Sequence, residues 1–120
     1  MHLSAGGLLL ASFASCQQVM LCPRSLTPPI LAEVRDINTG AAAAQGATGW
    51  IQDGGYTAAL APATPSEPLV LAAMGGPGVY NVVVQKSGYA TWIRRAVYVA
   101  GGRCGVDKSV RLRADLLPAG

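Results

Sequence analysis

Histidine is almost missing from this chain: His2 is the only one in 120 residues. Acid–base work near neutral pH and the activation of a thiol or hydroxyl nucleophile both lean on imidazole, so the familiar hydrolytic arrangements have no base here. Paired carboxylates are missing as well, since the six Asp and Glu stand singly along the chain. Zinc finds neither a second histidine nor a C-x-x-C spacing. Charge is scarce at 12%, and the nine Lys and Arg form nothing longer than pairs such as Arg94-Arg95, which argues against nucleic acid as a partner. Asp36, Asp53 and Asp107 lie beside turn residues in a spacing that matches no calcium loop, and turn capping accounts for them. Gly75 to Gly78 lacks the Lys-Ser/Thr continuation of a phosphate cradle and reads as a turn. These absences predict a non-catalytic protein with no cofactor and no metal.

What the chain does have is β-strand patterning. From Gly78 to Gln85, Tyr80, Val82 and Val84 alternate with Asn81, Val83 and Gln85, Lys86-Ser87-Gly88 reverses the chain, and Trp92 to Val99 follows as a second strand. Before this hairpin, Ile30 to Ile37 sets Ile30, Ala32 and Val34 against Leu31, Glu33 and Arg35, and Asp36 to Gly40 supplies turn chemistry. Ala41 to Ala44 is too short to nucleate a helix and is expected as an edge or loop segment. Asp53-Gly54-Gly55 joins strands over Ala47 to Gln52 and Tyr56 to Leu60. Ala61 to Pro68 reads as a Pro-rich loop, and the apolar run Leu69 to Met74 as a strand buried on both faces or, in part, a short helical turn. Ala100 to Val106 is expected to turn and set Cys104 at a strand entrance. Ser109 to Leu117 then places Val110, Leu112, Ala114 and Leu116 on one face. Seven strands with turns between them and no helical repeat predict a two-sheet sandwich.

A domain this small buries roughly 65% of its unfolded surface, so a covalent staple is useful. With aromatics at only 6%, Trp50, Trp92, Tyr56 and Tyr89 are expected mostly in the thin core, Tyr89 at a visible edge. Tyr89 and Trp92 are the candidates for a ligand-facing, sugar-stacking surface.

The first fifteen residues, MHLSAGGLLLASFAS, are apolar and small apart from His2. The stretch from Leu3 to Ala14 is too short to span a bilayer and suits a secretory signal peptide, although the positively charged start is missing. Phe13-Ala14-Ser15-Cys16 resembles a bacterial lipobox, whose cysteine is lipidated, with Phe in place of the usual aliphatic residue. Cleavage nearby without lipidation is the alternative. Three cysteines are an odd number, and an exported domain keeps its thiols paired. A lipidated Cys16 leaves Cys22 and Cys104 as one disulfide.

The sequence ILAEVRDINTG, the hairpin around DGG, the Gly78-Val79-Tyr80 strand start, and Gly88-Tyr89 after it resemble the carboxypeptidase regulatory-like, or transthyretin-like, β-sandwich over Pro29 to Leu117. The resemblance implies an all-β, seven-stranded antiparallel Greek-key β-sandwich. It also implies an accessory role, because none of the catalytic histidines or the terminal tyrosine motif of urate-derivative hydrolases can be carried onto this chain, and no isopeptide lysine stands in the first strand. The expected organisation is a signal peptide over 1–15, a linker over 16–28 and the sandwich domain over 29–120. The expected role is an exported module in the periplasm or at the outer membrane. It is held by a lipid anchor and meets an envelope protein or a glycan, with its oligomeric state open.

Overall fold

The computed structural model describes Cys22 and residues 26–120. The expected signal peptide, Cys16 and most of the expected linker lie outside these residues. Nine strands follow in order: β1 (Ile30–Asp36), β2 (Thr48–Asp53), β3 (Tyr56–Pro62), β4 (Val70–Ala73), β5 (Gly78–Gln85), β6 (Trp92–Val99), β7 (Gly101–Gly102), β8 (Gly105–Val106) and β9 (Val110–Leu116). Seven of them form one sheet in the order β6-β5-β2-β3-β4-β1-β9, and β7 pairs only with β8. The described residues are all-β, as their alternating segments predict.

Strands β2, β3 and β4 are successive neighbours and β5 returns to lie beside β2, which is the Greek-key order. The sheet folds over at β3, whose residues Tyr56 to Leu60 pair with β2 while Ala61 and Pro62 pair with β4. This revises the expected loop at Ala61–Pro68, which starts only after Pro62. Proline lacks an amide hydrogen, and at the end of a strand no ladder bond is lost.

One inward face fills the space between the two halves. Ile30, Ala32 and Val34 of β1, Leu71 and Ala73 of β4, and Leu112, Ala114 and Leu116 of β9 meet Ile51, Leu60, Tyr80, Val82, Val84, Val97 and Val99 in one buried cluster. Full burial of a Val, Leu or Ile side chain stabilises by about 1.5–3 kcal/mol, so this layer carries most of the favourable term. Strand β4 alternates rather than burying both faces: Leu71 and Ala73 are buried, while Val70 and Ala72 are half-buried and Met74 is exposed. The alanine run forms no helix. Ala43 and Ala44 are buried, with their amides donating to the carbonyls of Val34 and Pro68, and their small side chains let the loop lie against the sandwich.

Strand β9 runs parallel to β1, in contrast to the other strand pairs of the large sheet. Period-two alternation says which face is buried and nothing about the direction of the neighbour, so an all-antiparallel sheet was the default expectation. Direction follows from connectivity. The chain leaves β6, makes the small β7–β8 hairpin, and enters β9 at the end where β1 also starts.

All the turns therefore gather at two ends. At one lie the approach to β1, the Gly54-Gly55 turn, the 74–77 turn and the β7–β8 hairpin. At the other lie the 37–47 loop, the 63–69 loop, the Lys86-Ser87-Gly88 turn and the C-terminal residues. There the Ala90 amide donates to Leu117 and the Ala119 amide to Gly88, which joins the β5–β6 turn to the chain after β9 and nearly closes the sheet.

Candidate functional site

A disulfide joins Cys22 to Cys104. Cys104 is exposed at the tip of the β7–β8 hairpin, in the turn directly before β8, where Gly105 takes a positive φ of 98° and turns the chain back at once. Gly101 at the base of this hairpin lies so close to Pro77 and the Gly105 backbone that a side chain there would collide with both. The approach to β1 is held at the same end, where the Ser109 hydroxyl donates to the Pro28 carbonyl and the Val110 amide donates to Pro29.

The two expected ligand-facing aromatics are engaged within the fold. Tyr89 donates its hydroxyl to Asp36 Oδ2 at 2.7 Å, packs against the core, and carries Lys86 Nζ 5.9 Å from its ring centre. Asp36 also accepts the amides of Asn38 and Thr39. The Tyr89 hydroxyl and these amides hold the Asp36 carboxyl below its ordinary pKa, and the same carboxylate pushes the Tyr89 phenol up. Trp92 sits opposite the buried Val84, half-buried against the core, with the Arg94 guanidinium 5.2 Å from its ring.

A more open surface lies elsewhere. Ile51 is fully buried, so Trp50 beside it points to the outer face of β2. Register places Val83 and Ala59 on either side of Trp50, with Ile93 beyond Val83, in one row across four strands. Val79 and Tyr98 form a second outer pair, 48% and 70% exposed. Polar residues flank the row: Thr48 opposite Gln85 on one side, and Gln52 between Asn81 and Thr57 on the other. Asn81 is anchored because its Oδ1 accepts the Ala96 amide across a bulge in β6, where Ala96 takes a φ of 55°. This bulge and the exposed Arg94 and Arg95 interrupt the free edge of β6 and hinder strand addition there. The sequence-level clue to Trp50 was the alternation Gly49-Trp50-Ile51, which fixes opposite faces once Ile51 is assigned inward.

Among the described residues no pocket and no group of three or more His, Cys, Asp or Glu is found. Asp53 instead accepts the Val79 amide at 3.2 Å and ties the β2–β3 turn to β5. The outer face around Trp50 is apolar in the middle and amide- or hydroxyl-bearing at its margins. Such a surface can pack against a second protein or stack on the C–H face of a sugar ring. Neither the known protein families nor the curated proteins contain a match to this chain.

Proposed function

We propose that this chain is a non-catalytic module of a bacterial cell envelope, exported, lipid-anchored at Cys16, and serving a structural or protein-interaction role. The Cys22–Cys104 bond carries the proposal. A disulfide in a small domain suits an oxidising, exported environment. It uses two of the three cysteines and leaves Cys16, at the end of an apolar leader whose last residues resemble a lipobox. The Greek-key order of the strands supports the likeness to carboxypeptidase regulatory-like sandwiches, whose accessory role fits a module without a histidine constellation. The partner docks on the outer face around Trp50, Val83 and Ile93.

Expression in a bacterial host with membrane fractionation tests the anchor. The native chain is expected in the membrane pellet after a high-salt or carbonate wash, and a Cys16→Ser variant in the soluble periplasmic fraction. Native protein found in the cytosol with free thiols would overturn the proposal.

A carbohydrate-binding role is the second reading, favoured by the amide side chains Gln52, Asn81 and Gln85 beside the outward indole. A glycan array separates the two. Binding that disappears in Trp50→Ala and survives in Trp92→Ala supports the sugar platform, and a blank array with the correctly folded domain rejects it.

A further inference from the structure

The disulfide also fixes how far the domain can stand from the surface that holds it, and this rests on the lipid anchor proposed above. Cys22 is six residues along from Cys16, whereas Ile30, where β1 begins, is fourteen along. A fully extended chain spans roughly 20 Å over six residues and roughly 50 Å over fourteen. Counted to Pro28, twelve residues along, whose carbonyl the Ser109 hydroxyl already holds, the bond to Cys104 still about halves the leash. Strand β5, with eight residues, is itself about 27 Å long, so a leash of this length is shorter than the domain.

The residues at the leashed end have the chemistry of a lipid contact. Leu26, in the approach to β1, is 77% exposed, and Met74, in the turn after β4, is 49% exposed. Tyr56 is also exposed and donates its hydroxyl to the Met74 carbonyl at 2.9 Å, which holds the two side by side. Arg103 and Lys108, both exposed, flank Cys104 and Asp107. Apolar side chains with a tyrosine beside them and cations at the rim match acyl chains, interface and phosphates in turn. The opposite end also exposes Ile37 and Leu117, 50% and 55%, among loops held by hydrogen bonds from Gln45 to the Pro65 and Glu67 carbonyls and from Lys86 to Ala43. What distinguishes the two ends is therefore the tie to the leash and the tyrosine and cations beside it.

We infer that the domain docks on the bilayer end-on, with Leu26, Met74 and the β7–β8 hairpin against the lipid and the Cys22–Cys104 bond acting as the device that shortens its leash. The outer face around Trp50 then stands roughly upright on the membrane, open to a partner approaching from the side.

The chain's two lysines, Lys108 at the leashed end and Lys86 at the other, make the test internal. Acylated full-length protein is placed in vesicles of phosphatidylethanolamine and phosphatidylglycerol, or in detergent. It is then treated with a bulky, membrane-impermeant amine-reactive ester, and labelling at each lysine is read by mass spectrometry. The ratio of Lys108 to Lys86 labelling is expected to fall severalfold in vesicles relative to detergent. It should recover in a Met74→Asp variant that keeps the disulfide and the β-sheet circular dichroism spectrum. An unchanged ratio, or protection of Lys86 in place of Lys108, overturns the end-on orientation. The N-terminal peptide from the same sample reports acylation: its absence overturns the anchor and the orientation together, and its presence with an exposed Lys108 overturns the orientation alone.

Discussion

On the outside of β1 and β9, Glu33 lies between Arg35 and Arg111 with Nε–oxygen distances of 2.8 and 3.1 Å, and Arg113 pairs with Asp115 at 2.9 Å. On the outside of β2, β5 and β6, the corresponding positions hold Trp50, Val83, Val79, Ile93 and Tyr98, with amides at the margin. Both faces cover the same aliphatic layer and use the same two-residue period. Charges that satisfy one another keep the first face in water. The second exposes apolar groups that the other described residues leave uncovered, in keeping with the contact surface proposed above.

The comparison is sharpest within β2, where neighbouring residues take opposite sides. Ile51→Ala removes a fully buried side chain and is expected to cost about 2–5 kcal/mol, seen as a lower midpoint in urea unfolding. Opening the disulfide with the Cys22→Ser, Cys104→Ser pair releases a loop of 82 residues and is expected to cost up to about 4 kcal/mol while leaving both outer faces as they are. Trp50→Ala, one residue from Ile51, is expected to cost only about 1 kcal/mol, because its loss is packing on an outer face. If Trp50→Ala proved as damaging as Ile51→Ala, the face would be part of the core and the comparison would fail.

The smallest effect belongs to the charged face. Arg35 first and Arg111 second hold the Glu33 carboxyl below its ordinary pKa. A lowered folded pKa gives a contribution present above about pH 4, the unfolded value, and lost as pH falls through the folded one. Glu33→Gln should therefore reduce stability slightly at pH 7 and flatten its decline between about pH 5 and 3. The difference should shrink in high salt, because the group lies at the surface, with Arg111 exposed and Arg35 and Glu33 half-buried. Melting curves across that pH range check both points. An unchanged acid limb would mean the Arg35–Glu33–Arg111 group contributes nothing.

Strand existence and inward faces were legible because Ile30-Ala32-Val34 and Leu112-Ala114-Leu116 alternate without interruption. So was the Cys22–Cys104 pairing, from parity and compartment. The direction of β9 was not, since alternation carries no sign for the neighbour. The site was only partly legible: Tyr89 and Trp92 drew notice as aromatics beside a hairpin. Their engagement by Asp36, 53 positions from Tyr89, and by the Arg94 guanidinium depends on tertiary approach and side-chain placement. The bulge at Ala96 was hidden for a similar reason, because it needs the Asn81 side chain from the next strand to hold it.

The intact mass of the native protein from a bacterial membrane fraction, taken with and without reduction, tests the account most directly. A chain that begins at Cys16, carries acyl groups, and gains two hydrogens on reduction is the predicted result. An unprocessed chain with three free thiols would contradict it.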